Sequence, residues 1–81
     1  MGEAAAGRLT SSQAGDLAKY LGYSRVKGAP FNSMGQTVFS NGRHYITQDV
    51  TSHSGGVWKV FDRAGRRVGT YDEVLAKRIG D

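Results

Sequence analysis

Cysteine is absent from these 81 residues, so neither a disulfide framework nor a thiolate metal site is available. Proline occurs once and histidine twice. No apolar run approaches the ~20 residues that a membrane-spanning helix requires. The opening Met1-Gly2-Glu3-Ala4-Ala5-Ala6-Gly7 lacks both the basic and the apolar segment of a signal peptide. An HExxH pattern, a clustered set of acids, a Walker loop and a GxSxG turn are missing as well. These absences leave metal-free chemistry as the expectation, with no cofactor.

Charge is what the chain has in excess. Eleven Lys and Arg stand against seven Asp and Glu, for a net +4. Residues 1–24 balance, with Arg8 and Lys19 against Glu3 and Asp16, so the whole excess falls in residues 25–81. An excess of cations on a small domain suits a polyanion such as RNA or DNA, or an acidic protein, although many small domains run a few charges positive without such a partner. The length allows one domain with one modest core, and roughly 3–5 kcal/mol of stability is the scale for a core of that size.

Residues 1–9 are small and polar and read as a loosely ordered linker, which leaves 10–81 as a single domain. The spacing of Ala14, Leu17, Ala18 and Leu21 predicts a helix over 11–21, with Thr10, Ser11 or Ser12 as its N-cap and Gly22 ending it. Residues 23–35 are irregular, punctuated by Gly28, Pro30 and Gly35, and set Arg25 and Lys27 on a loop or a short extended segment. The period then becomes two. Thr37-Val38-Phe39-Ser40 and Arg43-His44-Tyr45-Ile46-Thr47 flank Asn41-Gly42, a hairpin signal in which both central residues need positive φ. A polar loop over 48–56 leads to a third strand, Val57–Phe61, with Val57, Lys59 and Phe61 on one face and Trp58 and Val60 on the other. Asp62-Arg63-Ala64-Gly65 turns this strand into Arg66–Thr70, and Thr70-Tyr71-Asp72-Glu73 reads as a capping box that opens a short helix to about Arg78. The expected fold is α+β: an N-terminal helix, a twisted four-stranded antiparallel sheet and a short C-terminal helix, the helices on one face and the other left for a ligand.

Cleavage of RNA without a metal needs a base for the 2′-hydroxyl, cations for the phosphorane and an acid for the departing 5′-oxygen. Histidine suits the proton transfers, and Lys and Arg suit the phosphate. His44, in mid-strand, is read as a half-packed surface residue. His53 stands in the polar loop before Gly55-Gly56; it is either a solvated loop residue or the acid–base group. Asp49, four residues earlier, either orients that imidazole or caps its own loop. Lys59 interrupts an otherwise apolar strand, so it either snorkels to an edge or points into a cleft. Trp58 can stack a base, but in so small a core it reads first as a packing residue. Arg66 and Arg67 alternate across their strand, one to each face.

Residues 35–81 resemble the novel toxin 21 domain of bacterial polymorphic and contact-dependent inhibition toxins, a family described by two lysines and three motifs. Thr47-Gln48-Asp49-Val50-Thr51-Ser52-His53 fits the first, D/S-x-D-x-x-x-H, except that Thr stands at its opening position. Arg67-Val68-Gly69-Thr70 fits R-x-G-S/T, and Arg78-Ile79-Gly80-Asp81 fits R-x-x-D. The resemblance implies a ribonuclease of the barnase–EndoU–colicin–RelE (BECR) fold, often tRNA-cleaving. It further implies secretion as the C-terminal part of a larger toxin, delivery to the cytoplasm of a target bacterium, and a cognate immunity protein over the active face. The expected catalytic set is His53, Asp49, Lys59, Arg67 and Thr70, and the product ends are a 2′,3′-cyclic phosphate and a 5′-hydroxyl. Lys27, with Lys19 as competitor, is the second lysine, placed with Lys59 and Arg67 around the scissile phosphate. Arg25, Arg66 and Trp58 complete the RNA-binding candidates. Arg78 and Asp81 are expected to pair at i, i+3 on a final helical turn and buttress Arg67. The rival readings are a non-catalytic RNA- or protein-binding module and a metal-dependent DNase.

Overall fold

The computed structural model describes residues 9–50 and 57–80. One helix, α1 (Ser11–Tyr20), precedes six strands: β1 (Ser24–Val26), β2 (Val38–Ser40), β3 (His44–Gln48), β4 (Trp58–Asp62), β5 (Arg67–Tyr71) and β6 (Arg78–Gly80). They form one antiparallel sheet whose spatial order is their order in the chain.

Both ends of α1 follow from local chemistry. Thr10 is the N-cap: its hydroxyl accepts from the Gln13 amide while the Gln13 side chain accepts from the Thr10 N–H, a reciprocal capping box. At the other end Gly22 adopts φ +90°. The Gly22 and Tyr23 amides then donate to the Lys19 and Ala18 carbonyls, a Schellman ending that delivers the Tyr23 ring to the core. Ala14 and Ala18, one turn apart, face the sheet; their small side chains let the helix lie close. They meet Phe39, Ile46, Trp58 and Val60, with Phe39 edge-on to Trp58 at 6.0 Å. Leu9, at the end of the segment expected to be linker, packs on this core, and its carbonyl accepts from the Gln48 side chain at 2.8 Å.

The hairpin between β2 and β3 forms where expected but turns one residue later. Asn41 donates to the His44 carbonyl, and its side chain accepts from the Arg43 and His44 amides. The central residues are therefore Gly42 and Arg43, and only Gly42 takes positive φ. A glycine first in the pair is what a type II′ turn requires.

Two expectations fail at the edges of the sheet. There are six strands rather than four, because Ser24–Val26 pairs with β2 and Arg78–Gly80 pairs with β5. The short C-terminal helix is absent: Thr70 and Tyr71 belong to β5, so Thr70 caps nothing, and residues 72–77 make a tight turn. In that turn the Asp72 carboxylate accepts from the Ala76 amide, and the Asp72 N–H donates to the Lys77 carbonyl. Leu75 takes φ +60°. The Glu73 carbonyl accepts the indole N–H of Trp58 at 3.0 Å, which satisfies the polar atom of a fully buried ring. A helix starting here would have turned that carbonyl inward to its own backbone, and the indole would lose its acceptor.

Ile46 is fully buried in mid-sheet. Ile46→Val removes one methylene and is expected to cost about 0.5–1.5 kcal/mol, a drop of several degrees in Tm read by calorimetry. Burial also pushes the Tyr23 phenol above its ordinary value of 10.0. The folded state thus prefers the neutral ring; that contribution is complete below the unfolded value and lost as pH rises through the folded one. Tyr23→Phe is expected to flatten the alkaline fall in stability above pH ~10, followed by urea denaturation across that range.

Candidate active site

The face opposite α1 carries the polar residues, and the register lines them up. Thr47 pairs with Lys59, and Lys59 pairs with Thr70, so these three side chains form one row across β3, β4 and β5. Asp49 follows Thr47 by two residues and keeps its face; its N–H donates to the Val57 carbonyl at 2.8 Å, extending the ladder beyond β3. The row runs from one hairpin to the next through the middle strand.

Arg67 joins this row through a β-bulge. In a regular strand, positions three apart point to opposite faces, so Arg67 and Thr70 would be separated by the sheet. The register of β4 against β5 slips between Val60 and Phe61: Val60 faces Gly69, but Phe61 faces Arg67. One residue, Val68, is extra, and it turns inward against the core. Arg67 therefore lies on the same side as Thr70, with its guanidinium 5.9 Å from the centre of the Phe61 ring. Its Nη2 donates to Thr70 Oγ1 at 2.8 Å, and the Thr70 hydroxyl points on to Asp49 Oδ2 in a longer contact of 3.4 Å. A cation, a hydroxyl dipole and an anion thus stand in line, each polarising the next.

Gly69 permits this arrangement. It has φ +156°, and a Cβ there would lie 2.5 Å from Arg78 Nε and 2.9 Å from the Gly80 carbonyl oxygen. The Arg78 side chain and the β6 backbone occupy the space a larger residue would need. The R-x-G-S/T pattern is accordingly a bulge: the arginine and the threonine reach one face because the glycine between them has no side chain.

Lys59 is half-buried beside this network, and no hydrogen bond or ion pair engages its ammonium among the described residues. An unpaired cation held by its strand next to two hydroxyls and a carboxylate is poised for an anionic ligand. Thr47, at the departing position of its motif, donates its hydroxyl to the Thr37 carbonyl at 2.9 Å, so it fastens the start of β2. The lower half of this face is not open as expected: the Phe31 ring stacks on Phe61 at 3.8 Å and meets Tyr45 edge-on at 5.7 Å.

Asp49, Lys59, Arg67 and Thr70 are thus brought together, while His53 and Asp81 lie outside the described residues. Lys27 is not beside Lys59. It follows β1, three strands from β4, which at strand spacing is about 14 Å away. Lys19 sits exposed on the last turn of α1, with the sheet between it and the site. Arg66 precedes β5 in the turn, where its N–H donates to the Asp62 carboxylate and its carbonyl accepts from the Asp62 amide, so the two arginines do not alternate along one strand. Trp58 is fully buried and cannot stack a base. Arg78 is on a strand rather than a final helical turn, and its side chain lies across Gly69; its expected partner Asp81 is outside the described residues. Among the described residues no three His, Cys, Asp or Glu cluster as metal ligands do.

Residues 16–81, which hold all of these groups, match the novel toxin 21 family. The chain belongs to that family. It is 46% identical over 77 residues to the 16S rRNA endonuclease CdiA of Enterobacter cloacae subsp. cloacae, a match that covers 90% of this chain but only 2% of that protein. It also superposes on a chain of the CdiA-CT/CdiI toxin and immunity complex from Enterobacter cloacae with a TM-score of 0.70, at 46% identity, covering 90% of this toxin domain and 100% of that chain.

Gly69→Ala is the sharpest test of the bulge. The added methyl must push β6 and Arg78 away, at about 1–3 kcal/mol for a strained and crowded position. A lowered Tm together with weakened anion binding is expected, and an unchanged Tm would mean that the close approach of β6 is unimportant.

Proposed function

We propose that this chain is a metal-independent endoribonuclease toxin domain. The observation that carries this reading is the Lys59 ammonium, which no described residue engages, in register between Thr47 and Thr70 and beside the Arg67–Thr70–Asp49 line. In this reading the scissile phosphate sits on Lys59, whose ammonium takes up the charge that grows on the phosphorane. Arg67 adds a second cation and fixes Thr70, and Thr70 presents its oxygen to the same region. His53 follows Asp49 by four residues in the motif that both belong to. It acts as the acid–base group, with Asp49 setting its tautomer.

The chemistry balances without a metal or an oxidant. The 2′-oxygen bonds to phosphorus as its proton passes to a base; the bond from phosphorus to the 5′-oxygen breaks, and that oxygen takes a proton from an acid. The products are a 2′,3′-cyclic phosphate and a 5′-hydroxyl end.

The relative's name directs the first assay to 16S rRNA. The tRNA substrate implied by the wider toxin class becomes the comparison arm. By the same likeness to a toxin and immunity complex, we assign the domain to a contact-dependent inhibition system, with delivery into a target bacterium and a cognate immunity protein as its natural inhibitor.

The test is incubation of the folded domain with 30S subunits and, separately, with total tRNA, each with and without EDTA. Discrete EDTA-resistant fragments bearing cyclic phosphate ends are expected. His53→Ala and Lys59→Ala, each folded by circular dichroism, are expected to lose about 10²–10⁴ in rate. Cleavage abolished by EDTA would move the domain to metal-dependent nucleases. Binding of RNA with no cleavage from either substrate would make it a binding module.

A further inference from the structure

Residues 27–37 leave the sheet after β1, cross part of the active face and return at β2. They are fastened at two points. The Pro30 backbone packs directly against Gly65, where no side chain intervenes, and the Phe31 ring stacks on Phe61. Between this crossing and the β1–β2 edge lies an open groove of about 520 Å³, within the range of small-molecule sites of about 300–1,000 Å³.

Its lining is polar, and its only charged residues are the cations Arg25 and Lys27. Asn32 spends its side-chain oxygen on the Met34 amide, which leaves its NH₂ free to donate. No hydrogen bond engages the Gln36 side-chain amide among the described residues. At the tip of the crossing that Asn32 turn holds Met34 at φ +57° with its side chain 70% exposed, a strained and uncovered apolar residue.

The groove lies at the β1–β2 edge, two strands from Lys59, where Arg25, paired with Phe39, starts from the helix side of the edge strand. Thr37 and Val38 line it; the Thr37 carbonyl takes the Thr47 hydroxyl, and Val38 pairs with Thr47, which pairs with Lys59. Two strand spacings, about 10 Å, separate Val38 from Lys59. A chain whose phosphate rests on Lys59 therefore reaches the groove with the next part of its backbone.

We infer that this groove is the subsite for the single-stranded RNA flanking the scissile phosphate, an inference that rests on the ribonuclease reading above. Arg25 and Lys27 hold the flanking phosphates, and the free amides of Gln36 and Asn32 read a base edge. Such reading needs an unpaired base, because the deep groove of duplex RNA hides base edges from side chains. Charged grooves bordered by apolar or aromatic side chains are the usual form of single-strand sites. Arg25 and Lys27 thereby act on binding, at a distance from the bond that breaks.

Two measurements on the whole 81-residue chain test this. In cleavage, Arg25→Ala/Lys27→Ala is expected to raise KM about tenfold or more while leaving kcat nearly unchanged, the signature of lost uniform binding. Gln36→Ala is expected to relax the base preference next to the cut. In binding, a labelled mixed-sequence single-stranded RNA is titrated against the chain carrying His53→Ala. The slope of log K against log salt should fall by about 1.4 on removing both cations, from ~0.7 per phosphate contact. Lys77→Ala, which removes one exposed cation in the 72–77 turn, is the charge control and should leave KM unchanged.

An unaltered KM and salt slope in the double variant, with wild-type cleavage intact, overturns the subsite and spares the ribonuclease. The same unaltered values with weakened inhibition by the immunity protein would reassign the groove to that partner. A wild-type chain that cuts no RNA defeats the ribonuclease reading, whereas the binding arm still decides the groove.

Discussion

A single extra residue in β5 governs the candidate active face. Hydrogen bonding between β4 and β5 would otherwise impose strict alternation, sending Arg67 and Thr70 to opposite sides of the sheet. By absorbing Val68 into the core, the bulge returns Arg67 to the side of Lys59 and Thr70, and Gly69 makes room for it. The Arg78 side chain and the Gly80 carbonyl then fill the space above Gly69, so the edge strand and the bulge hold each other in place. The third motif of the family supports the second by occupancy of space, and the pairing of Arg78 with Tyr71 across the sheet fixes where that side chain lies.

The small core is organised around the same strands. Trp58 fills the helix side of β4 while Lys59, its neighbour, stands on the other side. One five-residue strand thus supplies both the largest buried ring and the central cation of the site. Displacing that strand to relieve packing would move the ammonium, and the indole bond to the Glu73 carbonyl ties the same strand to the turn before β6. Packing and chemistry cannot be altered independently here.

Much of this was legible in the residues. The helix, a cap among Thr10, Ser11 and Ser12, its glycine stop, and the existence of the β2–β3 and β4–β5 hairpins follow from periodicity and turn chemistry, whereas the choice of Thr10 and the exact β2–β3 turn do not. The face shared by Lys59 and Phe61 follows from alternation alone. What escaped has physical causes. A bulge has no compositional mark beyond a glycine, so Arg66 and Arg67 read as an alternating pair. The sequence Thr70-Tyr71-Asp72-Glu73 satisfies the local rule for a helix start, but tertiary pairing of β5 with β6 and the acceptor demanded by Trp58 prevailed over it. Strands of three residues such as β1 and β6 carry too short a pattern to show a period. The separation of Lys19 and Lys27 from Lys59 depends on the sheet's two sides and its strand count, which no local window contains.

Because the six strands pair strictly with their neighbours in the chain, the sheet is a meander. No crossover has to be threaded, and no distant segment has to be found before a hairpin can close. Folding speed rises as contacts become more local, since less loop-closure entropy is lost before native pairing compensates for it. The candidate row draws on β3, β4 and β5, three consecutive antiparallel strands. The strands that carry Thr47, Lys59, Arg67 and Thr70 are consequently contiguous in the chain, and the docking of β6 over Gly69 is the one later step that fixes the bulge.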